Sequence, residues 1–102
     1  MILQEFENHL NTNSVLVTYF SHEECNVCKV LKPQVKKITA KFINAAFLYV
    51  NTQQSPEVSG QFVVFTVPTI ILFFQGREAK RYSRHISLQD FQTFLDRLSD
   101  AG

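Results

Sequence analysis

The chain has 102 residues, 45% hydrophobic and 19% charged, with ten phenylalanines and a net charge of +1. That length suits one domain over residues 1–102, and the apolar content is enough for a packed core and argues against disorder. The near-neutral balance gives no broad field for nucleic acid or a membrane surface, and no apolar run approaches the roughly 20 residues needed to cross a bilayer.

Ile2 to Leu10 is predicted as a short helix, with Ile2, Leu3, Phe6 and Leu10 at helical spacing. Glu5 and Glu7 lie where a secretory leader would be basic and then apolar, so a cytoplasmic location is expected. Asn11 to Ser14 is a turn cluster. Val15 to Phe20 is almost continuously apolar, the pattern of a strand buried on both faces. From Lys29 to Phe42 the apolar residues Leu31, Val35, Ile38 and Phe42 form a helical stripe among lysines. Pro33 falls inside this helix and is expected to kink it, and Asn44 to end it. A second strand follows at Ala46 to Val50, then a third helix from Pro56, a residue suited to a first helical turn, to about Phe62.

Thr66-Val67-Pro68-Thr69 leads into Ile70 to Phe74. Proline cannot donate to a sheet ladder, so Pro68 must open this strand rather than sit inside it. Gln75-Gly76 reads as a hairpin turn, and the more polar Glu78 to Ser83 as an edge strand returning from it. Ser87 is placed to cap a last helix, with Asp90 three residues on and Leu88, Phe91, Leu95 and Leu98 as its buried stripe.

The only two cysteines form Cys25-Asn26-Val27-Cys28, between the first strand and the lysine-rich helix. That setting puts Cys25 at a helix N-terminus, where unpaired N–H groups and the helix dipole favour a thiolate. A thiolate is the attacking species in disulfide exchange, and a second thiol one turn on can displace the mixed disulfide. Glu23 and Glu24 oppose this by raising the thiol pKa. Zinc usually takes four ligands; His22 could add a third, but no fourth is evident, so no metal and no cofactor is expected. Otherwise His22 reads as a solvated loop residue.

With Cys25-x-x-Cys28, Pro33 five residues after the second cysteine, Thr66-Val67-Pro68-Thr69, the hairpin at Gly76 and the closing amphipathic helix, the chain resembles the thioredoxin family over nearly its whole length. The resemblance implies an α/β thioredoxin fold: a mixed four-stranded sheet of order 2-1-3-4, strand 3 antiparallel, with helices on both faces. It implies a cis peptide at Pro68 facing the cysteines, Val67 offering its backbone to a bound substrate, Cys25 as nucleophile and Cys28 as resolving thiol. The activity implied is that of a protein-disulfide reductase-like thiol–disulfide oxidoreductase in cell redox homeostasis. It would act on disulfide-containing protein substrates and be recharged by a reductase or small thiol, with no nucleic-acid or membrane partner. Two other functions stay open. One is a glutaredoxin- or bacilliredoxin-like enzyme acting on low-molecular-weight thiol mixed disulfides. The other is a non-enzymatic adaptor that holds a partner on Phe-rich surface near Pro68.

The chain departs from the family's Trp-Cys-Gly-Pro-Cys, with Glu24 for the tryptophan and Asn26-Val27 for Gly-Pro. Setting Thr18 on the family's buried aspartate leaves one extra residue before the motif, and sets Phe47 on the lysine that partners that acid. A threonine hydroxyl is no base near pH 7, so resolution by Cys28 is expected to be slow. Val63 and Arg84 stand where glycines are common, and Arg84 is expected on the substrate-facing rim.

Overall fold

Seven consecutive buried residues form the middle of the sheet. β1 (Val15–Ser21) is buried along its whole length, which requires cover on both faces. In the computed structural model, which describes residues 1–101, β1 pairs in parallel with β2 (Ala45–Asn51) and antiparallel with β3 (Thr69–Phe74). β4 (Arg77–Ser83) runs antiparallel to β3, so the order is β2-β1-β3-β4, the expected mixed sheet. Pro68 stands just ahead of β3, as its missing N–H demands.

Successive strand residues point to opposite faces. Val15, Val17 and Tyr19 join Ile70 and Leu72 beneath α2 (Asn26–Thr39) and α4 (Leu88–Ala101). Leu16 and Phe20 join Val50, Ile71 and Phe73 beneath α1 (Leu3–Thr12) and α3 (Pro56–Gln61). The second face is a nest of rings: Phe6 lies 5.0 Å from Phe62, 5.8 Å from Phe73 and 6.3 Å from Phe20, centroid to centroid.

The element boundaries differ from the sequence expectation where side chains cap the backbone. α1 takes in Asn11 and Thr12; the Thr12 hydroxyl donates to the Asn8 carbonyl at 2.9 Å, and Asn13 Nδ2 to that of His9 at 2.8 Å. α2 begins at Asn26 because Cys25 caps it, and the helix runs on through Pro33. It ends at Thr39; Asn44 instead ties the following loop to α4 by donating to the Ser99 carbonyl at 2.9 Å. The hairpin turn holds Gln75 and Gly76 at φ of 51° and 82°, and the strand register slips between Leu72 and Phe73, a bulge on the edge strand. Ser87 Oγ accepts from the Asp90 N–H at 3.2 Å, as a cap should. The reciprocal half of the capping box is not seen: the Asp90 carboxylate accepts from the Tyr82 hydroxyl at 2.8 Å.

Candidate active site

Cys25 is the N-cap of α2, with extended backbone, and Cys28 lies in the first turn. Their Cα atoms are 5.2 Å apart and the two are joined as a disulfide. Cys25 Sγ accepts from the Cys28 N–H at 3.2 Å, so one of the orphan donors of the helix start points at the sulfur. Access is unequal: Cys28 is 1% exposed, whereas Cys25 is only half-buried. The Glu24 carboxylate accepts from Gln53 Nε2 at 3.2 Å.

The cysteine loop and Pro68 meet. The Val67–Pro68 peptide is cis, as the resemblance implied. Pro68 is buried and, with Val27, Val30, Leu31, Ile86 and Arg84, lines a groove of about 350 Å³. Val67 is half-buried against the core cluster that contains Cys28. Val27 and Val30 are each 66% exposed, so the groove offers apolar surface beside the motif, with Arg84 on its rim.

The residue beneath the pair is not Thr18. Thr18 is fully buried, but it belongs to the strand positions that face α1 and α3, and its hydroxyl donates to the Ile71 carbonyl across the sheet at 2.8 Å. Tyr19 comes up under α2, and its hydroxyl donates to the Cys28 carbonyl at 2.9 Å. Burial first, and Tyr49 second, push the Tyr19 phenol up to about 12. Tyr49, not Phe47, is its register partner on β2. With Tyr19 in the place given to Thr18, the extra residue before the motif disappears. Thr18 is on the wrong face to matter, and the expectation of slow resolution passes to Tyr19, whose phenol is no base near pH 7 either.

Beside Cys28 lies a cavity of about 60 Å³ lined by Ser21, His22, Glu23, Cys28, Lys29, Lys32 and Tyr49. Lys32 Nζ sits 3.9 Å from the Tyr49 ring centre, and the Ser21 hydroxyl donates to that of Tyr49 at 3.3 Å. His22 is half-buried rather than solvated; its Nδ1 is enclosed and has no hydrogen-bond partner. Among the described residues no three His, Cys, Asp or Glu side chains gather into a metal site.

The thioredoxin family model matches residues 1–97. The chain belongs to the thioredoxin family. Among its relatives, the thioredoxin-like protein YdfQ of Bacillus subtilis is 31% identical over 96 residues, covering 94% of this chain and 86% of that one. Thioredoxin of Chlamydia trachomatis is 29% identical over 96 residues, covering 94% and 90%. Of solved structures, thioredoxin 1 from Thermosipho africanus superposes with a TM-score of 0.78 at 28% identity, over 84% of this chain and 96% of that one. Oxidised mitochondrial thioredoxin 3 from Saccharomyces cerevisiae, at 22% identity, shares the fold with a TM-score of 0.84 over 94% and 90%. With the Cys25–Cys28 pair at disulfide distance, this thioredoxin-family chain is a thiol–disulfide oxidoreductase. Membership brings with it disulfide-bearing substrates and a reductant that restores the dithiol. None of the described helices is long and apolar enough to cross a membrane.

Proposed function

We propose that the protein reduces disulfides in protein substrates in the cytoplasm, with Cys25 as the attacking thiol and Cys28 as the resolving one. The observation that carries this is the unequal access of the two sulfurs, Cys25 half-buried at the helix cap and Cys28 1% exposed behind it. The Cys25 thiolate attacks a substrate disulfide, forming a mixed disulfide and expelling one substrate thiolate. Cys28 then attacks Cys25 Sγ, the second substrate sulfur leaves as a thiolate, and the Cys25–Cys28 bond forms. The substrate gains two electrons and the dithiol loses two; a reductase or small thiol restores it. Pro68 and the backbone of Val67 form the shelf on which the substrate strand lies, and the apolar groove beside Val27 and Val30 receives its flanking residues.

Insulin reduction by dithiothreitol, followed as turbidity, tests the activity. Wild type should accelerate it and Cys25→Ser should not; equal rates would leave an adaptor that merely holds a partner. Iodoacetamide labelling read by mass spectrometry tests the roles: Cys25 should be alkylated before Cys28. The reverse order would undo the assignment.

A further inference from the structure

Cys28 must lose its thiol proton before it can attack, and burial makes that loss harder. The proton needs an acceptor within reach, directly or through one water. Beneath the pair there is none: Tyr19 donates its own proton to the Cys28 carbonyl. The cavity beside Cys28 is different. At about 60 Å³ it exceeds the roughly 10–15 Å³ that a water requires. Its walls bring Cys28, Lys29 and Lys32 from α2, Tyr49 from β2, and Glu23 and His22 from the loop around one space. Ammonium and phenol groups are proton donors near pH 7, and a carboxylate is a weak base there. An imidazole is the side chain suited to take up and return a proton at that pH. His22 Nδ1 is enclosed and unpartnered, which in a folded protein calls for a reason.

We propose that His22 accepts the Cys28 proton: it passes through the cavity from Cys28 Sγ to His22 Nδ1 as Cys28 attacks the mixed disulfide on Cys25. This rests on Cys28 being the resolving thiol. The imidazole becomes imidazolium, the Cys28–Cys25 bond forms, and the Cys25–substrate bond breaks with its electron pair leaving on the substrate sulfur. The imidazolium then returns the proton to solvent. The neighbouring Lys29 and Lys32 ammoniums favour the thiolate in transit, whereas Glu23 opposes it.

The test is a stopped-flow reaction of the reduced protein with one equivalent of dithiobis(nitrobenzoate). The first coloured thiolate reports attack by Cys25 and the second reports resolution by Cys28. Near pH 7, His22→Gln should slow the second phase by roughly tenfold or more and leave the first unchanged; general-base assistance is typically worth about 10²–10⁴-fold. The wild-type second phase should fall in acid, because an imidazolium cannot accept a proton. In His22→Gln the rate should climb with pH and rejoin wild type once the thiol ionises unaided. Added imidazole should restore His22→Ala, a rescue that a merely structural histidine would not show. Superimposable wild-type and His22→Gln profiles would overturn the proposal, as would a slow second phase in Glu23→Gln with a normal one in His22→Gln. Cys28→Ser separates the two levels: a second phase that persists there at the wild-type rate breaks the resolving-thiol reading itself.

Discussion

The two faces of the sheet are built from alternate residues of the same strand, yet they are chemically unlike. Under α1 and α3, Leu16 and Phe20 enter a dry cluster with Phe6, Phe62 and Phe73, where the one polar side chain from β1, Thr18, spends its hydroxyl on a strand carbonyl. Under α2, Tyr19 tethers the first turn of the cysteine helix, and Tyr49, Ser21 and His22 border a small polar cavity. Rings with nothing to hydrogen-bond can be packed as tightly as shape permits. A thiol that must exchange protons needs polar neighbours and room for water. The sheet therefore separates stability from chemistry, and a slip of one residue in β1 would exchange them.

The largest effect should come from opening the ring face. Phe6 touches three other rings and is fully buried, so Phe6→Ala should cost about 3–5 kcal/mol. Denaturant unfolding would measure it, while the attack rate of Cys25 in the remaining folded protein should be unchanged. A loss below about 1 kcal/mol would mean that the rings repack. Thr18→Asp comes next. It sets a carboxyl in the dry face, where desolvation raises its pKa. An upward shift of two units corresponds to about 2.7 kcal/mol of destabilisation at neutral pH. The folded state then holds its proton more tightly than the unfolded one, so the penalty should shrink as pH falls toward the ordinary carboxyl range. Resolution by Cys28 should not quicken, and a faster second phase would put Thr18 back beneath the cysteines.

Tyr19→Phe probes the other face. It removes one hydrogen bond, worth about 1 kcal/mol at neutral pH. Above pH 10 the comparison with wild type should narrow. An unfolded tyrosine ionises near about 10, while burial holds the Tyr19 phenol up to about 12. Across that window the folded state keeps a proton that the unfolded state has lost, so wild-type stability falls as pH rises. Tyr82, raised by burial and by its hydrogen bond to Asp90, adds a fall of the same sign. Urea midpoints should therefore drop less steeply in Tyr19→Phe; parallel slopes would remove Tyr19 as a cause.

The parts of this architecture that could be read from the sequence were local ones. The Ser87 cap, the turn at Gly76, Pro68 at a strand start and the cysteine pair at a helix start each follow from a few neighbouring residues. The mistaken placement of Thr18 has a physical reason. A strand buried on both faces carries no alternation of apolar and polar residues, so nothing in Val15 to Ser21 says which side chains meet α2. Loop residues are usually solvated, so the local sequence gives no sign that His22 is half-buried. The cavity it lines is shared with Tyr49 on β2 and the lysines of α2, which the fold, not the local sequence, brings together. Only its position three residues before Cys25 hinted at a role.

The smallest effects should separate the two faces most cleanly. Val63, in the loop after α3 on the ring side, has φ of 55°, and Arg84, on the rim of the cysteine groove, has φ of 64°. Side chains pay for that left-handed backbone, a branched one most. Val63 is held there by its surroundings: the Arg81 guanidinium, itself bonded to Glu78, donates to the Phe62 carbonyl at 2.7 Å and the Val63 carbonyl at 3.0 Å. Glycine keeps those backbone bonds and removes the clash, and the exposed Val63 side chain gives up little burial. Relief of about 1–3 kcal/mol, less about 0.5–1 for glycine's greater freedom in the unfolded chain, leaves a gain near 1 kcal/mol at either site. For a domain of this size that is a rise in Tm of about 4–8 °C. Val63→Gly should raise Tm and leave every substrate alike. Arg84→Gly should raise Tm by a similar amount and also lower kcat/KM for disulfide peptides with acidic flanks relative to neutral ones, since it removes the cation beside the groove. An unchanged acidic-to-neutral ratio in Arg84→Gly would show that this rim does not touch the substrate, and a lower Tm in Val63→Gly would show that the valine side chain contributes more by packing than its backbone costs.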